Sequence, residues 1–153
     1  MATTVSILAG TATTGQSAFE EVLVELVGPG RYSLVRSPGL ALGLAAGDVF
    51  TLEAGGAYAV QERGGNICIQ MFSEAFTPLM ESEIAQSLQS IGGHLDGRSP
   101  RELVFTIALS VGFPRIEAAL KSIVRHFPTV EWYYGNVYDP VDGVTPLDWW
   151  KRD

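Results

Sequence analysis

Cysteine, histidine and positive charge are all scarce in this chain of 153 residues, which has one Cys, two His, and ten Lys and Arg against seventeen Asp and Glu. A single thiol, Cys68, cannot close an internal disulfide, and its apolar alternating surroundings suit a buried side chain. A metal site needs three or four convergent ligands, and the sequence clusters none around His94 or His126. No metal is therefore expected. The formal charge of −7 repels DNA, RNA and anionic membrane surfaces at long range and attracts a basic protein partner. No apolar run approaches the ~18 residues of a membrane span.

The first eighteen residues, MATTVSILAGTATTGQSA, also lack the basic n-region and sustained apolar core of a secretion signal. Residues 1–18 read as a loose tail, with at most a short strand over 5–8, and a cytoplasmic location follows as the default. Apolar residues make up 46% of the chain and charged residues 18%, which excludes wholesale disorder. At this length one domain is expected, burying roughly 68–70% of its extended-chain surface.

Residues 19–66 predict a series of short strands, because β-branched and aromatic residues alternate with polar ones between Gly clusters. Strands over 21–27 and 31–36 flank Gly28-Pro29-Gly30, and strands over 48–53 and 57–62 flank Ala54-Gly55-Gly56. Between these hairpins, SPGLALGLAAG (37–47) is apolar but carries three glycines, so it reads as a packed loop or one helical turn. Gly64-Gly65-Asn66 then leads into a strand over 67–72. Thr77-Pro78 opens a helix whose Met80, Ile84, Leu88 and Ile91 share one face, and Gly92-Gly93 stops it. Residues 94–98 and 102–110 predict two strands, the second central because it has so few charges on either face. Gly112-Phe113-Pro114 opens a second helix with an apolar stripe from Ile116 to Phe127, ended by Pro128. A strand over 130–138 follows.

From residue 67 onward the order is β-α-β-β-α-β, the order of a ferredoxin-like plait with both helices on one sheet face. The expected architecture is one α+β domain over 19–138. It comprises a small antiparallel meander or partial barrel (19–66) and the plait (67–138), followed by an acidic, aromatic tail (139–153).

Residues 30–49 read GRYSLVRSPGLALGLAAGDV. The spacing of Gly30, Tyr32, Leu34, Pro38, Gly43, Gly47, Asp48 and Val49 resembles the G-x-Y-x-L, Pro, G-x-x-x-G-D-V pattern of an uncharacterised bacterial family of domains of unknown function. Gly65-Asn66 is similar to that family's later Gly-Asn. The chain departs from the pattern at Leu23 or Val24, where members carry Trp, and at Gly39-Leu40, where they carry aromatics. The resemblance implies a small bacterial α+β protein with no cofactor, and it suggests that some members act as immunity-like partners of secreted toxins.

No complete catalytic set emerges from the residues themselves. Asp48 could serve as a catalytic acid, but a Gly-Asp pair just before a strand is more often a turn whose carboxylate caps backbone amides. His94 fits a hairpin, and His126 fits the negative end of a helix dipole. No G-x-S-x-G or phosphate loop is present. Glu81 and Glu83 border the apolar stripe of the first helix, where they would rim a protein contact. Trp132, Tyr133, Tyr134 and Tyr138, followed by Asp139, Asp142, Asp148, Trp149 and Trp150, combine aromatic contact area with negative charge. Trp149 and Trp150 fit equally a lid folded over the core.

The expected function is binding without catalysis, by an immunity protein that blocks a cognate toxin through the toxin's basic surface. Glu20, Glu21, Glu25, Glu81, Glu83, Asp139, Asp142 and Asp148 would share one face. The alternative is a small-molecule-binding or regulatory domain whose pocket is lined by Tyr32, Tyr58, Trp132 and Tyr134.

Overall fold

Alternating inward residues in the first half generate one sheet. The computed structural model describes residues 2–11 and 14–151; residues 1, 12, 13, 152 and 153, which belong to the two expected tails, lie outside it. Strands β1 (Ala2–Thr11), β2 (Ser17–Gly28), β3 (Arg31–Leu34), β4 (Val49–Leu52) and β5 (Tyr58–Glu62) pair antiparallel in sequence order. The meander is thus as expected from β2 onward. The N-terminal segment is not the loose tail that its composition suggested. Val5, Ile7 and Ala9 alternate toward the core, Ile7 is fully buried, and Ala2 to Leu8 pair in register with Glu25 to Phe19. β-branched Thr and Val suit the pleat.

Pro29-Gly30 makes the tight β2–β3 turn, with Gly30 at φ +66°. The sheet curls until its β4–β5 turn meets its first strand, since a Cβ on Gly56 would lie 3.1 Å from Leu8 N. No strand pairing closes it into a barrel among the described residues.

The second half forms the other sheet. β6 (Asn66–Phe72), β7 (His94–Ser99), β8 (Glu102–Ala108) and β9 (Glu131–Tyr134) lie in the order β7-β8-β6-β9, and every neighbouring pair is antiparallel. Helix α1 (Pro78–Gln89) connects β6 to β7, and α2 (Phe113–His126) connects β8 to β9. Thr77 caps α1, its Oγ1 accepting from Met80 N at 3.2 Å. Ile84 and Leu88 of α1 and Ile116, Leu120 and Ile123 of α2 pack on Ile67, Ile69, Met71, Leu103, Phe105 and Ile107 of the sheet. Both helices therefore cover one sheet face.

β9 is shorter than the strand expected over 130–138. Gly135 N still donates to Cys68 O at 2.8 Å, but Asn136 Oδ1 takes the Cys68 N–H at 2.9 Å, so a side chain replaces the backbone and the ladder ends.

The 37–47 segment is a loop and carries no helical turn. It runs between the two sheets. Ala41 and Leu44 pack into the meander core, while Ala45 joins Cys68 and Val104 on the helix-free face of the second sheet. A buried loop must find partners for its backbone, and side chains supply them. Gln70 Nε2 donates to Pro38 O and Ala41 O at 3.1 and 3.2 Å, Tyr58 OH to Leu42 O at 2.6 Å, Arg63 Nη1 to Gly43 O at 2.8 Å, and Asn66 Nδ2 to Ala46 O at 2.8 Å. The Glu20 carboxylate accepts from Gly39, Leu40 and Ala41 N at 2.8–3.0 Å. The loop is thereby the interior layer that joins the two sheets.

Candidate functional site

Asp48, the first candidate acid, is fully buried. Its Oδ2 accepts from Ala45 N at 3.0 Å and Arg63 Nη1 at 3.1 Å, and its Oδ1 accepts from Gly64 N at 2.9 Å. Burial pushes the carboxyl above its ordinary range, while the two amides and Arg63 pull it back. Every donor belongs to the loop or its anchors, so the geometry matches the turn-capping reading. Gly64 must be glycine for a related reason, because a Cβ there would stand 2.5 Å from Gly47 C.

The aromatic run builds a groove of about 640 Å³ along β9, the edge strand of the second sheet. Period-two alternation splits its side chains between faces. Trp132 and Tyr134 pack on the helix side, T-shaped to each other at 4.9 Å, and Tyr134 OH donates to Glu117 Oε2 at 2.9 Å. Burial raises the Tyr134 phenol above its ordinary value, helped by Glu117. Tyr133 points to the other face, against Phe72 at 6.0 Å. There the groove is walled by Leu40, Leu42 and Gln70 and floored by Gly135.

Leu40, Tyr133 and Tyr138 remain 52%, 54% and 40% exposed. The charged side chains that line the groove are Glu117 and Asp139. In the adjoining loop Asp142 accepts from Val144 N and Thr145 N at 2.8 and 2.9 Å and from the Thr145 hydroxyl, and these bonds hold its carboxyl below its ordinary range.

The structure thus gathers Trp132, Tyr134, Tyr138 and Asp139 in one groove with Asp142 nearby, and it disperses the other candidates. Glu81 lies 3.6 Å from Arg98 on β7, the opposite edge of the sheet, and Glu83 lies 3.4 Å from His126. Glu20 is spent on the loop amides, and Asp148 pairs with Lys151 at 3.3 Å. Glu21 and Glu25 stand exposed on β2, so the acids do not form one face.

Trp149 and Trp150 behave as a lid. Trp149 Nε1 donates to Asn136 O at 2.9 Å under the Arg63 guanidinium, and Trp150 stacks edge-on against Phe113 at 5.4 Å. The four-aromatic pocket does not form. Tyr32 and Tyr58 pack around Phe50 in the meander core, away from Trp132 and Tyr134.

Glu117, Leu40, Leu42 and Gly135 were absent from the expected site. Glu117 carried a signal, because it lies one turn after Phe113 on the α2 face that Tyr134 reaches. The loop residues carried none, since their nearness to β9 depends on where the loop crosses the second sheet.

A second cleft of about 470 Å³ lies between β2, the loop and the β7–β8 hairpin. Glu102 Oε2 is sealed there without a hydrogen-bond partner, although the residue as a whole is half-exposed. Desolvation, followed by the charge of Glu20, pushes its carboxyl up to about 7. Its lining contains no histidine or cysteine. Among the described residues no group of three or more His, Cys, Asp or Glu has the arrangement to hold a metal ion.

The family model for a Domain of unknown function (DUF4265) matches residues 20–127. Among solved structures the chain is similar to a hypothetical protein from Neisseria gonorrhoeae, at 12% identity over 88% of this chain and 94% of that one, with a TM-score of 0.70. At that identity the likeness is one of fold. No curated protein matches the sequence. The family match includes the buried loop and Asp48 and ends before β9.

Proposed function

The chain belongs to the Domain of unknown function (DUF4265) family, and we propose that it is a non-catalytic protein-binding domain, an immunity protein that occludes a cognate toxin enzyme. The groove along β9 carries this reading. It offers exposed aromatic and aliphatic side chains, Leu40, Tyr133 and Tyr138, in a groove whose charged lining is Glu117 and Asp139. Aromatic anchors supply contact area at low entropic cost, and charge of one sign steers an oppositely charged partner. The strand order β7-β8-β6-β9 with two helices on one face supports a ferredoxin-like plait as the frame. The 30–49 run is read as the family's signature because Pro38, Gly47 and Asp48 join the two sheets.

The test is co-expression with the product of the adjacent gene. A complex that forms, relieves that product's toxicity, and is lost in a Tyr133→Ser/Tyr138→Ser variant is expected. A harmless neighbour, or protection unaffected by the variant, sinks the proposal. The volume of the same groove supports a second reading, as a small-molecule site, since ~300–1,000 Å³ suits a metabolite. Thermal stabilisation by one metabolite class, lost in the same variant, would select that reading.

A further inference from the structure

An edge strand exposes alternate backbone groups, and the register of β9 shows which ones. Gly135 N donates to Cys68 O at 2.8 Å, and Gln70 lies opposite Tyr133. An antiparallel ladder alternates hydrogen-bonded and non-bonded pairs, so Tyr133 turns its N–H and C=O toward β6, whereas Trp132 and Tyr134 turn theirs outward. No strand pairs with that outer edge among the described residues. Open edges are commonly blunted by a very short strand, charged side chains, above all lysine, proline or a bulge, and β9 is short, with one charge, Glu131, at its start. The sequence Glu131-Trp132-Tyr133-Tyr134 has neither lysine nor proline, and its pairing with β6 carries no bulge.

We propose that the outer edge of β9 receives an extended, basic segment of a partner protein as an added antiparallel or parallel strand. This deepens the protein-binding reading above and rests on it. Three features define the occupant. The outward N–H and C=O groups of Trp132 and Tyr134 require an extended backbone. A strand added there places successive side chains on alternate faces, one set beside Tyr133 and Leu40 and the other beside Tyr134 and Glu117. Glu117 and Asp139 are the charged side chains of the groove, on a chain of net charge −7, so the side chains that fit beside the aromatics are Lys or Arg. A second copy of this chain would bring its own acids into the groove, and like charges disfavour it.

The experiment titrates the isotopically labelled full chain with an acetylated, amidated eight-residue peptide of alternating Lys and Val, with an alternating Glu and Val peptide as the control. Amide hydrogen exchange is read at single residues. The Lys peptide is expected to slow exchange at Trp132 and Tyr134 by roughly tenfold or more at saturation and to leave Tyr133 unchanged, because its N–H already faces β6. Affinity should fall several-fold on raising salt from about 50 to about 500 mM and in a Glu117→Gln/Asp139→Asn variant.

Unchanged exchange at Trp132 and Tyr134 with the peptide bound, or equal binding of the Glu peptide, overturns the proposal. So does protection that grows with protein concentration alone, which would assign the edge to a second copy. A toxin partner bound through Tyr133 and Tyr138 with those two amides still exchanging freely would leave the protein-binding reading standing and remove this one. Strand capture of the Lys peptide with no groove-dependent protein partner would do the reverse.

Discussion

Replacing Asp48 with Ala tests whether the buried carboxylate fastens the interior loop. Truncation strands the amides of Ala45 and Gly64, now held at 3.0 and 2.9 Å, and removes the counter-charge of Arg63. A buried N–H left without an acceptor costs about 1–3 kcal/mol, and breaking a buried ion pair by removing one partner costs about 3–5 kcal/mol. Arg63 keeps 22% of its side chain in solvent and its bond to Gly43 O, so its own share is small. The expected loss is therefore about 3 kcal/mol, the lower end of the ion-pair range. Asp48→Asn retains the shape and one acceptor and should lose about 1–2 kcal/mol.

Urea unfolding followed by tryptophan fluorescence reads both losses as a shift in midpoint at constant slope. Arg63→Ala completes a double-mutant cycle. The two single losses should exceed the loss of the double variant by about 1 kcal/mol or more, because the residues share one bond. A loss below about 1 kcal/mol in Asp48→Ala would refute the claim that this residue holds the loop. A gain in stability would do so more strongly, since that is what replacing an acid kept for function does.

Four further outcomes follow from the same geometry. Glu102, held at about 7 in the fold against 4.5 in the open chain, keeps its proton more tightly when folded, so its contribution to stability falls as pH rises from about 4.5 to about 7 and is flat above. After discounting for its half-exposed side chain, wild type should lose about 1 kcal/mol between pH 5 and 7.5, a slope that Glu102→Gln removes in paired urea melts. Gly64→Ala drives a Cβ into the Gly47 backbone and should cost about 1–3 kcal/mol by the same melts. Trp150→Ala should cost about 2–3 kcal/mol in thermal unfolding because it removes both the packing of Trp150 on the core and its edge contact with Phe113, whereas an unpacked surface Trp would change stability by under about 0.5 kcal/mol. Burial pushes the Cys68 thiol well above its ordinary range, so a thiol reagent should label it only as fast as the chain unfolds, and rapid native labelling would contradict its position.

Repeated local patterns made most of the elements legible. Helices α1 and α2 carry apolar residues at helical spacing between a Thr-Pro or Gly-Phe-Pro start and a Gly or Pro stop, so periodicity and capping agree. β2 to β5 alternate between glycine-bearing turns and loops, and β8 reads as a central strand because so few charges stand on either face, both of which are covered. β1 is not legible as a strand from its own residues, because its Thr, Ala and Gly look like tail composition. What makes it a strand is a partner, β2, whose Val22 and Val24 share the core with Ile7. The length of β9 is not legible locally either, because the side chain of Asn136 takes over a ladder bond.

The aromatic and acidic character of the C-terminal run is written in the sequence. Its division into a groove and a lid is not, because that depends on Phe113 and Asn136 standing where Trp150 and Trp149 arrive.

By itself, the sequence determined the elements from β2 onward, the sign of the net charge, and the apolar faces that the two helices bury, because each follows from residues a few positions apart. Tertiary structure alone decided that β9 is an edge, that Leu40 reaches it, that Glu20 serves the loop, and that Glu81 lies across the sheet from Tyr134. Those relations are set by strand order and by the path of a buried loop. Both arise from long-range pairing in which many sequence separations share the same local pattern.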